Sequence, residues 1–327
     1  MFHVITFGSA TQDIYLKSKK FVPLANKSFK VGKSICLPAD SKMKIDEVAF
    51  STGGGGTNAA ATLANLGLRT AWCGMTGSDY LGNLIMAELK KFKINTSFIK
   101  KTNQRATNTS VILSYPNGEK TILVYRGASD LLKLKDIPFS KIKNSRWFYL
   151  APFAEKMAGI TEGLVNFAKK NKIRVALNPG YDQLTLPRKT LERILAKVDI
   201  LILNQEEASL LTKIPYQKEK AIFKKLDELV EGICIMTKGS KGAIVSDGKY
   251  LYQAKSLNKK PVDTTGAGDS FNSGFLAGFI KTNNVSFALQ LGMANSASCL
   301  RELGAKKGLL KKGQKWPKAK ITKEPCL

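Results

Sequence analysis

The stretch Asp263-Thr264-Thr265-Gly266-Ala267-Gly268-Asp269-Ser270-Phe271 is the most informative part of this sequence. The apolar residues that follow it have helical spacing, so the N–H groups of Gly266, Ala267 and Gly268 are predicted at a helix N-terminus, where anions bind. Asp269 places a carboxylate in the same turn, which would repel a phosphate unless it takes a proton from the attacking group. The segment therefore indicates phosphoryl transfer to a hydroxyl. The alternative is a glycine-rich turn in which Asp269 only caps the helix.

A second glycine-rich stretch lies far upstream, at Ser51-Thr52-Gly53-Gly54-Gly55-Gly56-Thr57-Asn58. It leads into small residues that are predicted as a helix ending at Gly67. Four consecutive glycines favour either a flexible link or a backbone that lies close to a ligand. Asn58 adds an amide donor and acceptor suited to a polyhydroxylated molecule. Neither stretch matches the Walker pattern or the dinucleotide-binding G-x-G-x-x-G pattern.

Together, these residues resemble the ribokinase family of carbohydrate and nucleoside kinases, also called the PfkB family. Residues 53–67 are similar to its amino-terminal signature, and residues 261–276 are similar to its carboxy-terminal signature. The resemblance covers roughly residues 3 to 305. Weaker matches lie in the expected order at Gly8-x4-Asp13, Gly74-x2-Gly77-x-Asp79-x2-Gly82, Asn204-x2-Glu207, Thr237-Lys238-Gly239-x2-Gly242 and Asn295.

The resemblance implies the chemistry of transfer from ATP. Asp269 would be the general base that takes the proton of a substrate hydroxyl, usually a primary alcohol in this family. The N–H groups of Gly266, Ala267 and Gly268 would form the anion hole for the transferred phosphoryl group. The sequence contains a single histidine, His3, in the first strand, which leaves proton transfer to a carboxylate, a lysine or a tyrosine.

The resemblance also implies an acceptor site. Asp13 follows the first strand and would accept two sugar hydroxyls, with Gly54, Gly55 and Asn58 holding the same sugar; otherwise Asp13 is a turn carboxylate. Arg126 would face an anionic sugar or lie exposed on the lid, and the second reading is favoured. A nucleoside acceptor of the adenosine type stays an alternative to a free sugar.

The remaining family positions concern the nucleotide and ions. Asn204 and Glu207 would organise Mg²⁺ near the triphosphate, directly or through water, and their alternative role is a helix cap. Asp263 and Thr265 match a loop that holds a monovalent cation in ribokinases proper, so K⁺ stimulation is an open expectation, since residues 301–305 do not align cleanly. The positions similar to adenine-nucleotide contacts are Thr237, Gly239, Gly242 and Asn295, together with Asn204.

Composition limits the other possibilities. The chain of 327 residues is 43% hydrophobic, which suits one large α/β domain. No apolar run approaches the ~18 residues of a membrane span, and residues 1–8 read as a core strand instead of a signal peptide. Five scattered cysteines without metal-ligand spacing predict free thiols in a cytoplasmic protein.

The net charge of +27 raises the alternative of a basic protein that binds nucleic acid. The lysines, however, are spread over most surface segments. Their one concentration, Lys306–Lys323, holds eight lysines and no acid, and residues 306–327 are predicted as a solvated C-terminal tail outside a kinase domain of residues 1–305. We therefore favour a small-molecule enzyme over a nucleic-acid-binding protein.

Alternating strand and helix patterns predict an α/β fold with a mostly parallel sheet flanked by helices on both faces. Residues of about 14–50 and 96–128 break the alternation, and the resemblance implies that they form a small β-sheet lid inserted into the domain. Residues 109–125 predict a hairpin that turns at Pro116-Asn117-Gly118. Because an apolar hairpin of this kind leaves a face and an edge uncovered, we expect two lids to pair in a homodimer.

Overall fold

A computed structural model gives the fold of residues 1–28, 32–115, 119–257 and 261–326. The predicted turn at residues 116–118 lies outside these ranges. The strands are β1 (Phe2–Phe7), β2 (Thr11–Lys17), β3 (Pro23–Ala25), β4 (Lys33–Ile35), β5 (Glu47–Gly53), β6 (Thr70–Gly77), β7 (Ile99–Thr102), β8 (Asn108–Ser114), β9 (Lys120–Tyr125), β10 (Ser145–Leu150), β11 (Arg174–Leu177), β12 (Ile200–Asn204), β13 (Ile233–Thr237), β14 (Ala243–Ser246), β15 (Tyr250–Ala254) and β16 (Ile321–Pro325).

Helices alternate with the strands along most of the chain. They are α1 (Gly55–Asn65), α2 (Tyr80–Lys91), α3 (Phe139–Ile142), α4 (Glu155–Ala158), α5 (Thr161–Lys170), α6 (Tyr181–Leu184), α7 (Arg188–Leu195), α8 (Gln205–Thr212), α9 (Glu219–Leu229), α10 (Ala267–Thr282) and α11 (Val285–Cys299), with 3₁₀ turns at Ala128–Leu131, Leu134–Asp136 and Gly239–Lys241. Among the described residues, no helix is both long and apolar enough to cross a lipid bilayer.

The large sheet has the order β16-β15-β14-β13-β12-β11-β10-β1-β6-β7. Its strands are parallel from β13 through β7, and β14 to β16 add an antiparallel edge. Consecutive residues of β10 point into different cores. Trp147 and Tyr149 pack with Phe275 of α10, whereas Phe148 packs with Leu164 of α5. Burial on both faces explains the nearly continuous apolar sequence of these strands and confirms the predicted fold class.

A second, four-stranded sheet has the order β5-β2-β8-β9 and forms the lid. The hairpin is confirmed, because β8 and β9 pair antiparallel from Thr109↔Tyr125 to Ser114↔Lys120. The predicted lid bounds need correction at two places. The lid strand β2 already begins at Thr11, and β7, within the predicted lid stretch 96–128, instead pairs in parallel with β6 of the large sheet. Local sequence could not distinguish these two destinations for a short strand.

The lysine-rich segment 306–327 was expected to be a solvated tail, and the structure corrects this expectation. Lys306, Leu309 and Leu310 are buried, and the N–H of Lys312 donates to the carbonyl of Asn65. Strand β16 then pairs with β15 along five residues at the edge of the large sheet. The fold therefore continues through residue 325. The segment is rich in lysine, but its apolar residues Leu309 and Leu310 anchor it to the domain.

Candidate active site

The two glycine-rich stretches lie at the N-termini of α1 and α10, and these two helices pack against each other. Asn58 Nδ2 donates a hydrogen bond of 2.8 Å to Asp269 Oδ2, across 211 positions of sequence. A Cβ built on Gly55 would lie 3.6 Å from Asp269 Oδ1. The structure therefore brings the two stretches together around one carboxylate.

The backbone geometry explains why two of the glycines are needed. Gly266, the residue before α10, has a φ of 75°, and a Cβ there would overlap with Ala305. Gly54, the residue before α1, has a φ of 95°, and a Cβ there would overlap with the carbonyl of Ser9. Both positions combine a left-handed conformation with a close approach of another backbone segment, which only glycine accommodates without strain.

We call residues 263–268, which lead into α10, the α10 loop. Its backbone N–H groups differ in whether they already donate a hydrogen bond within the protein. The N–H of Ala267 donates a long hydrogen bond of 3.3 Å to the carbonyl of Thr264, which closes the turn. Gly268 lies in the first turn of α10, where backbone N–H groups have no intrahelical acceptor. Of the three predicted anion-hole residues, Ala267 has the N–H group that is already engaged in this hydrogen bond. The N–H groups of Gly266 and Gly268 are therefore the better candidates to bind an anion.

Asp269 is half-buried in the first turn of α10. Burial raises its pKa, and the hydrogen bond from Asn58 and the positive charge of Lys306 oppose the rise. A carboxylate whose pKa is moved toward neutrality is better matched to proton abstraction than an exposed one. The geometry and electrostatics of Asp269 both suit a general base.

Asp13 lies on β2, with 6% of its surface exposed. Burial raises its pKa to about 6, and a hydrogen bond from Ser110 and the charge of Lys306 lower it. A Cβ on Gly53 would overlap with the Asp13 carboxylate, so the glycine gives that group its space. The buried Oδ1 of Asn58 has no hydrogen-bond partner among the described residues. Asp13 on the lid and Asn58 on α1 thus provide buried hydrogen-bond acceptors.

A pocket of about 290 Å³ adjoins the first turn of α10. It is lined by Thr237, Gly239, Gly242, Ala267, Gly268 and Phe271, among others. Three of the residues predicted to contact the nucleotide thus meet the first turn of α10 in one pocket. A pocket that joins an apolar side chain to helix N–H groups fits a base and its phosphates.

Asn295 does not line this pocket. It is fully buried, and its Nδ2 donates to the carbonyl of Ser270 at 2.7 Å and to Thr62 Oγ1 at 3.4 Å. Its Oδ1 accepts the N–H of Leu310 at 2.9 Å. Its amide therefore ties α1, α10 and the C-terminal segment together, and we do not assign it to the nucleotide.

Asn204 and Glu207 form a reciprocal capping box at the start of α8. The N–H of Asn204 donates to Glu207 Oε2 at 2.8 Å, and the N–H of Glu207 donates to Asn204 Oδ1 at 2.9 Å. Burial raises the pKa of Glu207, against the effect of that backbone hydrogen bond. Glu207 keeps one carboxylate oxygen outside the box, which leaves an oxygen ligand of the kind Mg²⁺ prefers.

Thr265 Oγ1 donates to Asp263 Oδ1 at 2.8 Å, and a lysine is bound to both residues. Lys120 Nζ lies 3.2 Å from Asp263 Oδ1 and 3.0 Å from Thr265 Oγ1. Burial would raise the pKa of Asp263, yet hydrogen bonds from Thr265 and Gly304 and the charge of Lys120 hold it below the ordinary range. An ammonium group thus shares the oxygens that we expected to hold a monovalent cation.

Arg126 is exposed and lines a small cavity of about 30 Å³ with Ser9, Asn108 and Asp130. Arg105 Nη1 lies 3.7 Å from Asp130 Oδ2 in the same region. The structure therefore places Arg126 at the rim of the lid, which agrees with the exposed alternative and leaves its guanidinium accessible.

Sequence reasoning missed two lysines that contact the site, Lys120 and Lys306. Lys120 reaches Asp263 only because the lid sheet folds over the α10 loop, and no local pattern marks it. A signal did exist for Lys306, since Leu309 and Leu310 follow it closely and an apolar pair predicts packing. The high lysine content of that segment therefore does not prevent it from packing through its apolar residues.

Known proteins resemble this chain over most of its length. A family model described as "pfkB family carbohydrate kinase" matches residues 1–312. An uncharacterized sugar kinase of Archaeoglobus fulgidus is 29% identical over 254 residues, which are 76% of this chain and 97% of that protein. The ribokinase of Haemophilus influenzae is 28% identical over 261 residues, covering 79% of this chain and 83% of the relative.

Solved structures show the same fold. The ribokinase of Arabidopsis thaliana, in complex with ribose and ATP, has a TM-score of 0.77 at 23% identity, over 95% of this chain and 96% of that one. An E. coli protein described as a ribokinase II, in complex with ATP and Mg²⁺, has a TM-score of 0.78 at 19% identity, over 94% and 96%. The fold, the paired glycine-rich loops and the match over residues 1–312 lead to one conclusion: this chain belongs to the pfkB family of carbohydrate kinases, phosphotransferases that act on an alcohol group.

Proposed function

We propose that this protein transfers the γ-phosphate of ATP to a hydroxyl, normally a primary one, of a small free carbohydrate. The observation that carries the proposal is the contact between Asn58 and Asp269, which joins the two glycine-rich loops at one carboxylate. Asp13 lies on the lid strand β2, and the pocket lined by Gly268 adjoins the first turn of α10. In this proposal the acceptor reaches Asp269 from Asp13, and the nucleotide reaches it from that pocket.

In the proposed reaction, Asp269 takes the proton of the acceptor hydroxyl, whose oxygen forms a bond to the γ-phosphorus. The bond from that phosphorus to the bridging oxygen of ADP breaks, and ADP leaves with that oxygen. The backbone N–H groups of Gly266 and Gly268 stabilise the charge on the transferred phosphoryl oxygens. Asp13 and Asn58 Oδ1 hold the acceptor by accepting hydrogen bonds from its hydroxyls.

The residues present fit Mg²⁺ and a nucleotide. Glu207 would hold the ion directly or through water, and Asn204 would orient Glu207 through the capping box. Bound Mg²⁺ would neutralise charge on the triphosphate. Thr237, Gly239 and Gly242 would contact the nucleotide in the pocket that they line.

Two further properties belong to this proposal. We place the enzyme in the cytoplasm, where its five free thiols, three of them buried, would stay reduced. We also propose a homodimer through the lid, because residues 122–125 of the edge strand β9 are exposed and apolar.

The test is a coupled assay of ADP release with ATP, Mg²⁺ and a panel of pentoses, hexoses, sugar acids and nucleosides, with each product identified by mass spectrometry. Phosphorylation of a free sugar supports the proposal, whereas turnover of nucleosides alone would favour the nucleoside alternative. If no acceptor is phosphorylated while the folded protein binds nucleic acid with a steep salt dependence, the kinase proposal fails.

A further inference from the structure

Lys306 is a buried cation in the wall of the acceptor site. It is only 3% exposed, and lysines are almost never buried to this degree unless they are paired. Its Nζ donates to Thr52 Oγ1 at 2.5 Å and to Glu88 Oε2 at 3.0 Å. The Thr52 hydroxyl also contacts Glu88. We call these three residues, from β5, α2 and the C-terminal segment, the Lys306 cluster.

One side of the cluster adjoins the proposed acceptor residue. Thr52 pairs with Gln12 in the β2–β5 ladder, so it is a neighbour of Asp13 on the adjoining strand. Thr52 also precedes Gly53, whose Cα leaves room for the Asp13 carboxylate. The ammonium group that binds Thr52 is therefore held next to β2, the strand that carries Asp13.

The other side of the cluster adjoins the loop before α10. The N–H of Gly304 donates to Asp263 Oδ2 at 3.0 Å, and Ala305 packs against Gly266 so closely that a Cβ on Gly266 would overlap with it. Residues 304–306 thus lie along the loop that precedes α10. Lys306 is the charged residue of this segment.

The positive charge of Lys306 acts on two carboxylates, those of Asp13 and Asp269. The charged groups acting on Asp13 are Lys306, Asp263 and Glu88, and Lys306 has the largest effect of the three. Lys306 is also the charged group that acts on Asp269. Burial also lowers the pKa of Lys306, and the charges of Glu88, Asp13 and Asp269 oppose that fall. Burial disfavours ionisation of both carboxylates, so the positive charge of the Lys306 ammonium opposes that cost.

We propose that Lys306 is a positioning residue of the acceptor site, whose buried ammonium, held by Thr52 and Glu88, supplies a positive charge to Asp13 and Asp269 for hydroxyl binding and proton transfer. The proposal rests on the proposed function, because it assigns Asp13 to the acceptor and Asp269 to the proton. The rival role for Lys306 is purely structural, as half of an ion pair with Glu88. The two roles differ in what happens to the pH dependence of catalysis when the charge is removed.

The experiment compares Lys306→Met, which removes the charge and keeps the length, with Lys306→Arg, which keeps the charge. Lys307→Met is the matched control, because Lys307 is the adjacent lysine and is exposed. The pH profiles of kcat and of kcat/KM for the acceptor are measured for all four proteins. We expect Lys306→Met to move the acidic limb to higher pH by about one unit, Lys306→Arg to restore it in part, and Lys307→Met to match the wild type.

A readout without turnover separates this proposal from the proposed function. Thermal unfolding is followed from acidic to neutral pH. In this range, a carboxylate whose pKa is raised in the folded state makes the protein less stable as the pH rises. Lys306→Met should steepen that loss, because the pKa of both carboxylates rises further. A steeper loss in a protein that phosphorylates no acceptor would show that Lys306 favours the ionised form of the two carboxylates, and it would refute the kinase proposal together with the catalytic part of this role. An active wild type with unshifted profiles and parallel unfolding curves in Lys306→Met would overturn the role of Lys306 alone.

If Lys306→Met fails to fold, the double variant Glu88→Gln/Lys306→Met removes both charges of the pair and leaves no unpaired ion. Glu88 opposes Lys306 at Asp13 and is not among the charges that act on Asp269. We therefore expect the limb of the kcat profile, which reports Asp269, still to move to higher pH. A double variant with the wild-type kcat limb would overturn the proposal.

Discussion

Lys120 Nζ lies 3.2 Å from Asp263 Oδ1 and joins the lid hairpin to the loop that precedes α10. The same ammonium lies 3.0 Å from Thr265 Oγ1. One side chain of the lid thus supplies a positive charge at the back of the anion loop, where a monovalent cation was expected.

The first prediction concerns K⁺. In Lys120→Met, the oxygens of Asp263 and Thr265 lose their cation, so added K⁺ should raise kcat/KM severalfold more than it does in the wild type. The measurement replaces KCl by tetramethylammonium chloride at constant ionic strength. Lys17→Met is the control, since Lys17 is another lid lysine, paired with Glu47 away from this loop. An equal response to K⁺ in Lys120→Met and the wild type would show that the ammonium does not stand in for a metal cation.

The second prediction concerns the base. Asp269→Asn keeps the size of the side chain but cannot take a proton, so kcat should fall by about 10²–10⁴-fold. Nucleotide binding, followed by fluorescence or calorimetry, should stay nearly unchanged. Asp40→Asn, at an exposed position of the lid, is the matched control. Near-normal kcat in Asp269→Asn would exclude Asp269 as the base.

The third prediction separates the two substrates. Asp13→Ala removes a buried carboxylate that would bind hydroxyls by charge-assisted hydrogen bonds, each worth about 1.5–3 kcal/mol. The KM for the acceptor should therefore rise by about ten- to a hundredfold, whereas the KM for ATP stays within a factor of about two. Initial rates with each substrate varied in turn provide the values. Equal increases in both would place Asp13 outside the acceptor site.

The fourth prediction concerns stability. Asp13 has a folded-state pKa of about 6, above the ordinary 3.8, so ionisation favours the unfolded chain. This cost is absent below the unfolded-state pKa, grows as pH rises toward about 6 and then stays constant at up to about 3 kcal/mol. Asp13→Asn should accordingly have a higher Tm than the wild type at neutral pH, and the difference should shrink in acid. A Tm difference independent of pH would show that burial of this carboxylate carries no such cost.

The fifth prediction concerns assembly through β9. Leu123, in the exposed edge strand of the lid, should lie in the interface of a homodimer. Sedimentation at micromolar concentration should give about twice the 35.8 kDa mass of one chain, and Leu123→Lys should give the single mass. Leu210→Lys, at an exposed leucine of α8, should leave the mass unchanged. A wild type that sediments as one chain, with or without substrate, would refute the lid interface.

Patterns that lie within one segment predicted the fold well. The alternation of strands and helices and the apolar runs of the parallel strands are local properties, because burial on both faces of a sheet leaves a visible mark in sequence. The loops at Gly54 and Gly266 were equally visible, since their backbone conformations require a particular residue type.

Contacts between distant segments could not be predicted in the same way. The burial of Lys306 depends on Thr52 and Glu88, which are more than 200 residues away in sequence. The assignment of β7 to the large sheet depends on the position of β6. Asn295 was expected to contact the nucleotide, but its partners Ser270, Thr62 and Leu310 come from three other segments. Side chains with several potential partners take their role from the assembled structure.

The pairing of β16 with β15 covers what would otherwise be an open edge of the large sheet. Without residues 321–325, the N–H and C=O groups along Tyr250–Ala254 would form an open template for strands of other molecules. Strand β16 covers that template and ends in Pro325, and Lys323 Nζ lies 3.6 Å from the ring centre of Tyr250. Charge and proline at an outer strand discourage further strand addition. Lys323 and Pro325 thus make the outer edge of the large sheet a poor template for the strands of other molecules.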